Sequence, residues 1–71
     1  MQRYLILIEP TYTGFSAYSP DVPGCVATAQ SRSEIEQVMR DAIEFHLEGL
    51  RASGQPLPTP STSAFYVEVA A

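Results

Sequence analysis

Residues Tyr18 to Ala29 read Tyr-Ser-Pro-Asp-Val-Pro-Gly-Cys-Val-Ala-Thr-Ala, and this run constrains the fold more than any other part of the chain. Pro20 and Pro23 each remove a backbone donor and fix φ, and Gly24, directly after Pro23, suits the φ > 0 position of a type II turn. The run is a rigid connection between two short strands. Ser31-Arg32-Ser33-Glu34 follows it with the Ser-x-x-Glu signature of a capping box, which opens a long helix.

Around that connection the hydrophobic pattern sets out the other elements. Tyr4-Leu5-Ile6-Leu7-Ile8 is a continuous apolar run, so residues 3–9 read as a strand buried on both faces. Gly14 to Ser19 reads as a second strand, with Phe15 and Ala17 on one face and Ser16 and Tyr18 on the other. Cys25 to Ala29 reads as a third, in an antiparallel meander. The helix is expected from Arg32 to Ser53. At 100° per residue, Ile35, Val38, Met39, Ala42, Ile43, His46 and Leu50 share its apolar face. Glu36 and Arg40 form an i,i+4 pair in the favourable order. Gly54 fits the position just past the helix end, and Pro56 blocks continuation. Gly49, inside the helix, is read as a close approach of helix and sheet backbones. After a stiff connector from Gly54 to Ser61, Ser63 to Val69 alternates as a last strand, with Phe65, Val67 and Val69 on one side.

The chain of 71 residues carries a net charge of −4, has no lysine, and has its basic residues at Arg3, Arg32, Arg40 and Arg51. Contact with nucleic-acid phosphates calls for a basic patch, and these arginines are scattered. No direct nucleic-acid binding is expected, and an acidic surface suits a basic protein partner. The single cysteine, Cys25, excludes an intrachain disulfide and reads as a small buried residue. The N-terminal apolar run is too short for a signal sequence or a membrane span, so a cytoplasmic protein is expected.

These pieces, in this order, resemble the HicB-like antitoxins. The resemblance rests on the strand Tyr4 to Ile8, on Gly14-Phe15-Ser16-Ala17-Tyr18, and on Ser19-Pro20-Asp21-Val22-Pro23-Gly24-Cys25. It continues through the Ser31 to Glu34 helix start, Phe45-His46-Leu47-Glu48-Gly49-Leu50, and Gly54-Gln55-Pro56-Leu57-Pro58-Thr59-Pro60-Ser61. It implies a single α+β domain over residues 1–71. The implied fold is a two-layer βββαβ unit with a partial ribonuclease H-like outline: a mixed four-stranded sheet of order 3-2-1-4 under one long helix. It also implies a non-enzymatic protein that neutralises a small HicA-type toxin, an mRNA-cleaving enzyme, by covering its active surface. Family members often carry a C-terminal DNA-binding segment. This sequence ends at Ala71, just after the expected last strand, so operator binding is not carried over. The alternatives are an orphan homo-oligomer with another protein or small-ligand partner, and a metal-dependent nuclease on the same scaffold.

The residues argue against the nuclease. A two-metal site needs several carboxylates converging on one point, and the strands supply only Glu9 and Glu68. His46 sits on the apolar helix face and reads as a packed side chain, and with Cys25 it would make only two ligands of an incomplete metal set. No catalytic, cofactor or metal residue is expected. Two interaction surfaces are. The first is the acidic outer stripe of the helix, Glu34, Asp41, Glu44 and Glu48, as a docking face for a basic toxin. The second assumes that Leu5, Leu7, Phe65 and Val67 face the helix. Tyr4, Ile6, Ile8 and Tyr66 then lie on the uncovered sheet face and hold a homodimer or a dimer of dimers together.

Overall fold

The computed structural model describes residues 2–71. Three short strands, β1 (Leu7–Pro10), β2 (Phe15–Tyr18) and β3 (Val26–Ala29), precede one helix, α1 (Arg32–Ala52). The strands form an antiparallel sheet in the order β1-β2-β3. Leu7 pairs with Tyr18 and Pro10 with Phe15 across the first ladder; Phe15 pairs with Ala29 and Tyr18 with Val26 across the second. Between β1 and β2 the Thr11 amide donates to the Gly14 carbonyl at 2.8 Å. A side chain at Gly14 would collide with the Ala29 carbonyl oxygen and stand 2.9 Å from the Gln30 Cα, so the chain crosses itself closely there.

The proline-rich connection folds as two consecutive turns, each with proline at its second position. The Val22 amide donates to the Ser19 carbonyl at 3.3 Å, around Pro20, and the Cys25 amide to the Val22 carbonyl at 3.2 Å, around Pro23. Gly24 takes φ +88°, as the type II turn requires. Between the two turns Val22 points inward and is fully buried.

Helix α1 starts and stops where its local chemistry dictates. Ser31, in extended conformation, accepts the Glu34 amide at 3.2 Å, while the Glu34 carboxylate accepts the Gln30 amide at 3.1 Å. At the other end the Gly54 amide reaches the Arg51 carbonyl and the Gln55 amide the Leu50 carbonyl, the paired bonds of a Schellman ending. Ile35 and Met39 are fully buried and Ile43 nearly so. With Ala17, Val22 and Cys25 they make the core. Two details differ from expectation. Glu36 pairs with Arg32 at 2.8 Å rather than with Arg40, and both partners are largely exposed, so the pair contributes little. A side chain added at Gly49 would meet nothing within 4 Å, so no backbone approach explains that glycine.

The expected four-stranded mixed sheet of order 3-2-1-4 is not formed. Ser63 to Val69 is not a strand of this sheet: residues 61–71 are exposed, and 63–71 make no backbone hydrogen bond among the described residues. The first strand is therefore an edge rather than the centre, and its ladder begins only at Leu7, with Tyr4 to Ile6 ahead of it half-buried. Pro10 is tolerated because an edge position does not call on its missing N–H. The physical cause lies in the connector. It brings Pro58 back to Tyr4, ahead of β1, where the Tyr4 hydroxyl donates to the Pro58 carbonyl at 2.6 Å. It is then held at the β2–β3 connection, and the remaining residues leave the body as an arm. The radius of gyration, 14.0 Å, exceeds the roughly 11 Å of a compact chain of this length, and the long axis spans 49 Å against 26 and 18 Å. No helix among the described residues is long and apolar enough to cross a membrane.

Candidate partner-binding site

Three surface features are built by this fold. The first is the outer face of α1. Glu34, Asp41, Glu44 and Glu48 are all exposed, on the side opposite Ile35, Met39 and Ile43. They are not equivalent. Glu34 is engaged at the helix start, and Asp41 accepts a 3.0 Å bond from the Gln37 amide group. Glu44 lies at the edge of the face beside Arg40, and Glu48 has no ion-pair partner among the described residues. The sequence reading missed Phe45. It is 81% exposed, and helical spacing places it between Asp41 and Glu48, one turn from each, and two turns from the partly exposed Val38. An aromatic ring ringed by carboxylates is an anchor for a basic protein surface. The signal was available: Phe45 falls outside the arc of Ile35, Met39 and Ile43.

The second feature is a groove. Helix α1 packs over β3 and β2 and leaves the β1 side open. Tyr4, Ile6 and Ile8 turn toward the helix there and face Met39, Ile43 and Leu47 across a groove of about 640 Å³. This reverses the expected facing: Leu5 and Leu7, not Tyr4, Ile6 and Ile8, belong to the face without a helix. Register explains it, because Ile8 stands opposite Ala17, a buried core residue, whereas Leu7 stands opposite the exposed Tyr18. Tyr66 lies on the arm, fully exposed and apart from those three residues.

The third feature is the carboxylate of Asp21, to which the sequence reading gave no role. Its Oδ2 accepts the Ser61 and Thr62 amides at 3.1 and 2.9 Å, and its Oδ1 accepts their hydroxyls at 3.3 and 2.8 Å. These bonds favour the charged form, those from Thr62 most, and hold the Asp21 carboxyl below the usual carboxylate range. A depressed value contributes stability above the unfolded pKa of about 3.9 that is lost as pH falls through the lower folded value. The amide NMR signals of Ser61 and Thr62 are expected to shift together with a midpoint below about 3.9. Asp21→Asn should abolish that titration and destabilise the chain at neutral pH, with the gap to wild type closing in acid. Flat Ser61 and Thr62 signals down to pH 2 would contradict the contact.

The residues considered for chemistry are not assembled. Cys25 is buried, its thiol 3.8 Å from the Ala42 carbonyl, and burial pushes its pKa up, away from the reactive thiolate. His46 is half-buried on α1. Glu9 is exposed within β1 and Glu68 lies on the arm. Among the described residues no three His, Cys, Asp or Glu side chains come together as a metal site.

Known proteins match this arrangement. A 14.9 kDa protein of the rep-hol intergenic region in Haemophilus phage HP1 (strain HP1c1) is 34% identical over 64 residues, 90% of this chain and 48% of the relative. A UPF0150 protein of Synechocystis sp. (strain ATCC 27184 / PCC 6803 / Kazusa) is 33% identical over 57 residues, 79% of this chain and 72% of the relative. Among solved structures, a chain of the HicA3 and HicB3 toxin-antitoxin complex superposes with a TM-score of 0.71 at 35% identity, covering 84% of this chain and 70% of that one. The crystal structure of the antitoxin HicB3 gives a TM-score of 0.70 at 35% identity, over 84% of this chain but 44% of that one. The chain thus spans about half the length of the phage relative. The HicB-like antitoxin model of bacterial toxin-antitoxin systems matches residues 4–69, nearly the whole sequence, and the chain belongs to that family.

Proposed function

We propose that this chain neutralises a small basic HicA-type toxin by binding it, and that it does so as a homo-oligomer with no catalytic step of its own. The observation that carries this reading is the likeness, in sequence and fold together, to a chain of a toxin-antitoxin complex. The outer face of α1 supports it. Phe45 supplies an exposed aromatic anchor, and Asp41, Glu44 and Glu48 supply charge complementary to a basic partner. An acidic chain of net charge −4, with no lysine, suits contact with a basic protein rather than with nucleic-acid phosphates. Such a protein works in the cytoplasm, where its toxin acts on mRNA.

The test is co-expression with a HicA-type toxin. Expression of that toxin alone should arrest growth. Co-expression of this chain should restore growth, and the two should co-purify at a fixed ratio. Arrest that persists despite abundant, folded chain would overturn the reading.

A further inference from the structure

We infer that the C-terminal arm of one copy seats in the β1–α1 groove of a second copy, which returns its own arm to the first. This rests on the proposed self-association and specifies how it is achieved. The arm is built as a strand without a partner. Phe65, Val67 and Val69 alternate on one side and are 85%, 65% and 74% exposed, and Glu68 is the one charge from Ser63 to Ala71. A segment of that pattern exposes a continuous apolar row to water and leaves its backbone groups unpaired.

Each copy also presents what the arm lacks. The groove has an apolar floor, with Ile6 and Ile8 on one side and Met39, Ile43 and Leu47 on the other. The outer edge of β1 pairs with nothing, so its backbone groups are available to an added strand. The groove rim carries Arg40 and Arg51, neither of which has an ion-pair partner among the described residues; Glu36 and Glu44 on the same rim make it neutral on balance. A nearly neutral apolar arm with one carboxylate, Glu68, fits such a groove better than a strongly basic protein does.

The arm does not fill its own groove. Asp21 fixes Ser61 and Thr62 at the β2–β3 connection, and beyond that point Phe65, Tyr66, Val67 and Val69 stay exposed rather than packing into the groove. One arm and one vacant groove per copy are satisfied together by a twofold exchange, which closes without leaving an unpaired end. Residues 61 and 62 stay on their own Asp21 in that arrangement, so the anchor sets the direction in which the arm is offered.

The test starts with the full-length chain at micromolar concentration in analytical ultracentrifugation, where twice the chain mass of 7.8 kDa is expected. An arm variant (Phe65→Asp with Val67→Asp) and a groove variant (Leu47→Arg) should each sediment as monomers with the helix intact by circular dichroism. Mixed in equal amounts they should form a heterodimer, because one sound arm then meets one sound groove. Should Leu47→Arg fail to fold, a photo-crosslinker at position 65 replaces it. Crosslinks to groove peptides between isotopically light and heavy copies are expected. A monomeric wild type overturns both the exchange and the self-association, whereas a groove occupied only when the toxin is added overturns the exchange alone. A dimer that survives the arm variant, or crosslinks confined to one copy, overturns the exchange alone.

Discussion

Truncating Ile35 to alanine is expected to remove about 2–5 kcal/mol of stability, the usual cost of emptying a fully buried aliphatic site. Ile35 is 0% exposed, in the first turn of α1, and it belongs to the one core cluster with Val22 and Met39, the other fully buried side chains. Chains of this size have on the order of 4–10 kcal/mol to lose. The variant should therefore give up roughly a fifth or more of its stability, with a fall in midpoint temperature of about 4–8 °C for each kcal/mol. Urea unfolding checks it, with the midpoint moving and the slope unchanged. Val38→Ala, at a 37% exposed site on the same helix, is the comparison and should stay within about 0.5 kcal/mol of wild type. Equal effects at the two positions would mean that α1 does not pack on the sheet through the Ile35, Met39 and Ile43 face.

Much of this architecture is legible in the sequence because it is local. The helix ends at Ser31 and Gly54 are set by bonds spanning five residues or fewer, and the turn at Pro23-Gly24 spans four. What could not be read is what depends on distant partners. Alternation from Ser63 to Val69 shows that the segment suits a strand, but a strand is a property of two segments. Whether β1 of the same chain receives it is decided by the path through Asp21 and Thr62, residues 41 positions apart. The facing of Tyr4 to Ile8 was equally closed to inspection, since a continuous apolar run contains no alternation to read. Only the pairing of Ile8 with Ala17 decides it. Glu36 had arginines at both i−4 and i+4, and the sequence cannot choose between them. The acidic stripe is visible in the sequence, and helical spacing puts Phe45 within it, outside the arc of Ile35, Met39 and Ile43.

Reversing Asp41, Glu44 and Glu48 to lysine should slow association with a basic toxin by about tenfold or more at low salt, the range that electrostatic steering covers. The three carboxylates are exposed, and none is in an ion pair among the described residues, so the substitutions disturb little within the fold. Asp41 loses only its bond from Gln37, and the like-charged Glu44 and Glu48 stand one helical turn apart. Stopped-flow association at several ionic strengths separates steering from contact. The wild-type on-rate should drop steeply as salt shortens the screening length to about 8 Å under physiological conditions. The reversed chain should start slow and change little. Phe45→Ala should behave in the opposite way, leaving the on-rate and its salt dependence near wild type while the complex dissociates faster, since the ring is buried only after docking. If the triple reversal leaves the on-rate unchanged and Phe45→Ala leaves the off-rate unchanged, the toxin does not dock on the outer face of α1.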